Sequence, residues 1–524
     1  MLLHAGMAWW SRPPGILTGQ DDAEYVMLGR SLRAGGYHEL HRIDRPVHAQ
    51  YPPGYPALLA AWGAAAGDDF DALVLLNVGI SAALLAAVYA TLRRRGFGEV
   101  EATGSVVVLA VNPALVAMAG SLRSEPPYTL LSMVCLLMLA AREPRAGQRT
   151  LAGAAAIVAA LTRSIGVTLV AAVAAHWLIE RRWKTLTLFA GAAALTLGSW
   201  LAWTALAPER YTGSSYIGDL TAGTGERGTL APKFPDRIPE HISWYARIGV
   251  PWMLGVPTVQ GTVLDNAIAL LLLVGLGGLG VWTFARRWRP AALYLGVYGA
   301  LLAVWVWRVE RFVIPLLPII VAAVLVGAGR LGTLLRLRRP WLAVVATALV
   351  LFAGGVARTT EDLAEAARCD RSAQLPDAEC LTADQASFFE AVRWIRTHTA
   401  EDAVFLTAKS APFWLYTGRR TISYGTARRT DTLAVLPFLR EQATDYVLLT
   451  ALERGEPRRL APRLLRVCGA LALEASFPPN GYLFRIRAPD ERMRAGPACG
   501  ALRDYLEANR GRWEPDGADA AQQP

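Results

Sequence analysis

Two adjacent aspartates, Asp21 and Asp22, sit near the start of a polar stretch, TGQDDAEYVMLGRSLRAGGYHELHRIDRPVHAQYPPGYP, over residues 18–56. A carboxylate in such a loop is a residue type that can do acid–base work. The same carboxylates also suit a plainer role. An aspartate at a helix N-cap accepts backbone N–H bonds and complements the helix dipole. A second acidic point, Ser124-Glu125-Pro126-Pro127, opens an apolar run, with Arg123 beside it. Arg163 separates two apolar segments in ALTRSIG, and Arg308, Glu310 and Arg311 fall together in WRVERFVIPLLP. An arginine at a membrane edge often only snorkels. Several of them together with carboxylates can hold the phosphate of a lipid while a carboxylate moves a proton. His38, His41, His48 and Asp44 are metal-binding residue types, but their spacing matches no metal motif. No cofactor is predicted, although the loop is compatible with a divalent metal.

The elements that must position these groups are apolar. Of the 524 residues, 53% are hydrophobic and 18% charged, which excludes a disordered chain. Apolar runs concentrated over 69–357 exclude a wholly cytosolic enzyme and predict a polytopic α-helical membrane protein. Ten spanning segments are expected: 69–92, 104–120, 126–141, 150–163, 165–180, 185–207, 263–285, 291–307, 313–329 and 341–357. Several fall short of the roughly 20 residues of a straight span, and the division between 150–163 and 165–180 is the least distinct. Arginines gather in the gaps at Arg93–Arg95, Arg142 to Arg149, Arg181 to Lys184, Arg286 to Arg289 and Arg330 to Arg339. These gaps alternate with the others, so they share one face, and the positive-inside rule makes it cytoplasmic. The formal charge of +10 is explained by this topology, and no nucleic-acid partner is expected. The chain has 50 arginines against 3 lysines, so arginine at any single site is a weak signal by itself.

The opposite face then carries 1–68, 121–125, the 163–165 turn, 208–262, 308–312 and 358–524. Residues 385–397 show helical periodicity, and 403–408, 445–450 and 481–487 read as strands. This predicts two parts: a transmembrane domain over 1–357, with external loops at 18–56 and 208–262, and an extracytoplasmic α/β domain over 358–524. Cys135 lies in an apolar run and reads as a buried thiol. Cys369, Cys380, Cys468 and Cys499 are all in the C-terminal domain, as expected of disulfides in an oxidising compartment. Four cysteines allow three pairings. Closure of the smaller loops favours Cys369–Cys380 and Cys468–Cys499. The absence of Cys-x-x-Cys argues against zinc.

Several of these pieces occur in a familiar order: Asp21-Asp22-x-x-Tyr25, a Gly35-Gly36 stop, Tyr51-Pro52-Pro53-Gly54, Glu125, Arg163, and Arg311-Phe312 followed by Pro315 and Pro318. Together they resemble the GT-C membrane glycosyltransferases of the protein O-mannosyltransferase and lipid A aminoarabinose transferase type. The resemblance covers most of the chain. It implies transfer of a sugar from a polyprenyl-phosphate donor to an acceptor hydroxyl on a glycan, lipid or protein of the envelope, outside the cytoplasmic membrane. It implies Asp21 as general base, with inversion at the anomeric carbon. Arg163, Arg311 and Arg123 are then expected to stabilise the leaving phosphate. Tyr25 and Tyr51 would shape the pocket, and Glu125 would bind hydroxyls or hold an arginine. The family has a full first spanning helix, whereas residues 1–10 (MLLHAGMAWW) are shorter than a span. The expectation is therefore either a misassigned start with about eleven spans, or a loop anchored by later helices.

Two other classes compete. A transporter or flippase for a lipid-linked sugar would set ionisable residues near the bilayer midplane, often in broken helices. The apolar runs here hold almost none. A non-catalytic assembly protein of the envelope would work through the C-terminal domain and have no need of Asp21.

Overall fold

In its described part, each of the ten apolar segments folds as helix. The computed structural model describes residues 1–206, 236–255, 270–369 and, with short gaps, 375–511. Most of the external loop expected at 208–262, and the start of the span expected at 263–285, lie outside the described residues. Two compact units emerge. The first holds 1–13, 49–206 and the described residues of 236–368. The second holds 14–48 and the described residues from 369 onward.

The first unit begins with α1 (Leu2–Trp10). After α2 (Gln20–Arg33), which belongs to the second unit, come α3 (Gly54–Ala66), α4 (Phe70–Arg94), α5 (Glu99–Ala110) and α6 (Pro113–Ala119). Next are α7 (Glu125–Met138), α8 (Ala146–Thr162), α9 (Val167–Ile179) and α10 (Trp183–Leu206). Helices Gly278–Arg287, Arg289–Val304, Leu317–Leu334 and Trp341–Ala366 complete the bundle.

The segment expected over 104–120 is not one straight helix. Pro113 has no N–H to continue the ladder, and Asn112 caps the new helix by accepting from Leu115 N at 3.1 Å. The α5–α6 pair bends by 61° there. The segments 150–163 and 165–180 are divided as expected, at a 3₁₀ turn over Ser164–Gly166. Among the described residues, four helices are long and apolar enough to cross a membrane alone: Phe70–Arg94, Trp183–Leu206, Glu310–Leu334 and Trp341–Ala366. The bent pair makes a fifth, and the other apolar helices are shorter. Helix α7 packs against both α4 and α8, burying Cys135 with Leu84 and Leu136.

The second unit contains a five-stranded sheet in the order β2-β1-β3-β5-β4. Its strands are β1 (Val404–Leu406), β2 (Arg420–Thr421), β3 (Tyr446–Leu449), β4 (Leu471–Phe477) and β5 (Gly481–Ile486). Strand β1 runs parallel to β2 and β3, and β5 is antiparallel to β3 and β4. Helix Ala383–His398 starts at a capping box formed by Thr382 and Gln385, and buries Phe388, Phe389 and Ile395 against Phe405 and Leu483. Disulfides join Cys369 to Cys380 and Cys468 to Cys499, the pairing that loop closure favoured.

The sequence reading did not anticipate β4 or β2. The alternation in β4 is broken by a register shift between Leu473 and Ala475, and β2 is two residues long. The stretch 14–48, expected as a loop of the transmembrane part, instead packs within the second unit.

Candidate active site

A group of polar residues of the first unit gathers where α3, α7 and α8 meet. Glu125 is the first residue of α7, and its side chain is 1% exposed. Arg163 follows the last residue of α8 in an extended conformation. Its Nη1 lies 2.8 Å from Glu125 Oε2 and 3.0 Å from Ser124 Oγ. Arg163 is 15% exposed, so the cation is not a fully solvated snorkelling one. A buried ion pair at the end of an apolar bundle is costly unless geometry and hydrogen bonds compensate, which makes it a functional marker.

Two further contacts fix this corner. The Tyr51-Pro52-Pro53 run sets the backbone, and α3 starts at Gly54 directly against the end of α8. A Cβ at Gly54 would come within 2.7 Å of the Leu161 carbonyl oxygen, so only glycine allows this approach. On α4, the fully buried Asn77 reaches across the bundle. Its Nδ2 lies 2.9 Å from Tyr55 Oη, 2.7 Å from Ser121 O and 3.0 Å from Arg123 O. Asn77 therefore holds the segment that carries Arg123, Ser124 and Glu125. It was missed in the sequence, although an amide amid the aliphatic residues LVLLNVGI is a visible signal.

Arg311 is the second residue of a 3₁₀ turn, Glu310–Leu316, that packs against α7. Tyr298 Oη donates to Phe312 O at 2.8 Å and pins that turn to helix Arg289–Val304. The Arg311 guanidinium lies 5.9 Å from the Phe312 ring centroid. Arg308 pairs instead with Glu240. Tyr51 and Arg123 are both half-buried in this unit.

Asp21, Asp22 and Tyr25 lie in the second unit, on α2. The N-cap of α2 is Gly19, with no side-chain cap bond, so neither aspartate is the capping residue. Both sit inside the first turn, where the dipole still favours a negative charge. Asp22 and Tyr25 are buried and Asp21 is partly exposed. Spacings of three and four residues put both aspartates on the Tyr25 side of the helix.

The histidines of this stretch do not converge. His38 Nδ1 lies 3.0 Å from Arg45 O, His41 Nδ1 3.0 Å from Met27 Sδ, and His48 Nδ1 3.1 Å from Glu39 Oε1. Asp44 pairs with Arg42. Burial, with Arg42 and His48 adding to it, pushes the His41 imidazole down to about 3, so it is neutral. No cluster of three or more metal-ligating side chains occurs among the described residues.

No protein-family model matches the sequence, and neither does any curated protein. Solved structures do share its fold. ArnT from Cupriavidus metallidurans, crystallised with bound undecaprenyl phosphate, aligns with a TM-score of 0.53 at 15% identity, over 93% of this chain and 97% of that one. The oligosaccharyltransferase of Archaeoglobus fulgidus, tethered with an acceptor peptide, aligns with a TM-score of 0.52 at 12% identity, over 97% of this chain and 76% of that one. At these identities the likeness establishes the fold alone: that of a polytopic helical membrane protein.

Proposed function

We propose that this protein transfers a sugar from a polyprenyl-phosphate donor to an acceptor hydroxyl, on the outer side of the cytoplasmic membrane and with inversion. The observation that carries the reading is the buried Glu125–Arg163 pair at the end of an apolar bundle. Its support is the fold shared with a protein crystallised with undecaprenyl phosphate. In this reading the acceptor oxygen attacks the anomeric carbon as Asp21 takes its proton. The bond from that carbon to the phosphate oxygen breaks, and the electron pair leaves with the polyprenyl phosphate. The leaving group is stable, so the main demand is to balance its charge. Arg163 and Arg311 serve that role, with Arg123 as a third cation. Glu125 orients Arg163, and Tyr25 and Tyr51 shape the pocket. The outer side is supported by the arginine-rich gaps and by two disulfides in the α/β domain, both of which are expected of a domain outside the cytoplasm. The acceptor is a glycan, lipid or protein of the envelope.

The test is transfer of labelled sugar from a panel of polyprenyl-phosphate sugars, in membranes holding wild type or Asp21→Asn. Asparagine keeps the size but takes no proton. Transfer by wild type and a loss of about 10²-fold or more in the variant, at equal expression, is the expected result. Equal transfer by both removes Asp21 as the base. No transfer from any donor moves the transporter and assembly readings ahead.

A further inference from the structure

Helix α2 is gripped at both ends by the α/β domain. Ahead of it, Ile16 N donates to Tyr416 Oη at 3.1 Å, and Gln385 Nε2 donates to Thr18 Oγ1 at 3.3 Å. Leu17 packs on the core around Phe388 and Phe389. Gly15 passes so close to the Tyr416 hydroxyl that a Cβ there would lie 2.7 Å from it. Burial pushes the Tyr416 phenol up to about 12, so it stays a neutral hydroxyl that can accept from Ile16.

Behind α2, the chain joins the edge of the sheet. Thr421 N donates to His41 O at 2.7 Å, and Ile43 N donates to Thr421 O at 3.1 Å, in a parallel bridge centred on Arg42. Ile43 packs on the second core of the domain. The link between helix and bridge is itself tied down: His38 N donates to Ser31 Oγ at 2.8 Å, and Glu39 pairs with His48 and Arg42. Middle and flanks of 15–48 are thus built into the domain that begins more than three hundred residues later in the chain.

We propose that the α/β domain is the positioning element for the first-loop carboxylates, holding α2 through the Tyr416 hydroxyl at one end and the Thr421 backbone at the other. This rests on the reading of Asp21 as the general base. A base must stay within hydrogen-bond reach of the proton it takes, and a misplacement of about 1 Å costs about 10²-fold in rate. The flanks of α2 meet the domain through backbone groups, the Tyr416 and Thr18 hydroxyls and the packing of Leu17 and Ile43, and the directional hydrogen bonds among these set position. Tyr416 and Thr421 are therefore positioning residues, and their loss is expected in kcat more than in donor KM.

Two full-length variants test this. Tyr416→Phe removes the acceptor for Ile16 and keeps the ring, whose centroid lies 5.2 Å from that of Phe389. Thr421→Pro removes the donor to His41. The pairing of β2 with β1 survives it, because Ile422 N is the group that donates to Phe405 O. Amide hydrogen exchange over residues 16–33 is measured in detergent-purified protein, beside kcat and KM for the donor. The expected result is at least fivefold faster exchange over 16–33 in both variants, with exchange in β3 and β5 unchanged. In Tyr416→Phe, kcat falls about five- to tenfold, the worth of one hydrogen bond, and KM stays within twofold. Unchanged exchange over 16–33 in both variants overturns the proposal. So does faster exchange with unchanged kcat. If wild type transfers no sugar at all, the transferase reading has failed, and the exchange data alone decide whether the domain holds α2.

Discussion

Replacing Arg163 with alanine leaves Glu125 without the cation that lies 2.8 Å from its carboxylate. For exposed side chains that loss would be worth less than about 1 kcal/mol. Here the carboxylate is 1% exposed and the arginine 15%, so water cannot take over. Removing one partner of such a pair costs about 3–5 kcal/mol. The Ser124 hydroxyl also loses its donor, at 3.0 Å, for about 1 kcal/mol more. Arg163→Ala should therefore unfold well below wild type. Glu125→Gln in the same chain removes the buried negative charge and keeps an oxygen acceptor, so the double variant should regain most of that stability. Transfer should not return with it. A phosphate leaving group that has lost a positioned cation loses about 10²–10³-fold in rate, and Glu125→Gln supplies none. Thermal unfolding and sugar transfer, measured on wild type, both single variants and the double, form a double-mutant cycle. Recovery of transfer together with stability would refute the phosphate-binding role and make Arg163 structural. Wild-type stability in Arg163→Ala would refute the claim that the pair is effectively desolvated.

Two further outcomes follow from particular side chains. Burial holds the Glu456 carboxyl at about 8, against 4.5 when unfolded, so it folds protonated. Its contribution is complete below pH 4.5 and is lost as pH rises through 8, at about 1.4 kcal/mol per pH unit; Glu456→Gln should flatten that slope in unfolding measured from pH 5 to 8, and an unchanged slope counts against the assignment. Gly54→Ala forces a Cβ to within 2.7 Å of Leu161 O, and should cost about 1–3 kcal/mol and lower transfer by parting α3 from α8. Wild-type unfolding temperature and rate in that variant would show the approach to be looser than described.

What could be read from the sequence was side-chain chemistry that is expensive where it stands. Glu125 and Arg163 stood out because each is charged at the border of an apolar run, and the structure brings the two into contact. The ten helical segments were legible from hydrophobic runs alone. The break at Asn112–Pro113 was written in the sequence too, but hydropathy averages over it; the bend needs the missing proline N–H and the asparagine cap to be read residue by residue. Asn77 was readable in the same way and was passed over because it makes its contacts with backbone carbonyls far along the chain. The capping role for the aspartates was a reasonable reading of Asp21 and Asp22, and it failed by two or three positions: the helix starts at Gln20, so Gly19 takes the cap.

The allegiance of residues 14–48 could not be read at all, and the reason is physical. A parallel bridge to Thr421 uses only backbone N–H and C=O groups, which every residue but proline carries. No residue type at 41–43 announces it. Tyr416 is likewise an ordinary aromatic until Ile16 is placed beside its hydroxyl. Sequence shows which groups can do chemistry, because ionisable and aromatic types are scarce in apolar surroundings. It does not show which part of the chain holds those groups still when the holding is done by backbone. The α/β domain, which carries no recognisable catalytic spacing of its own, is therefore best understood through what it grips and not through its own side chains.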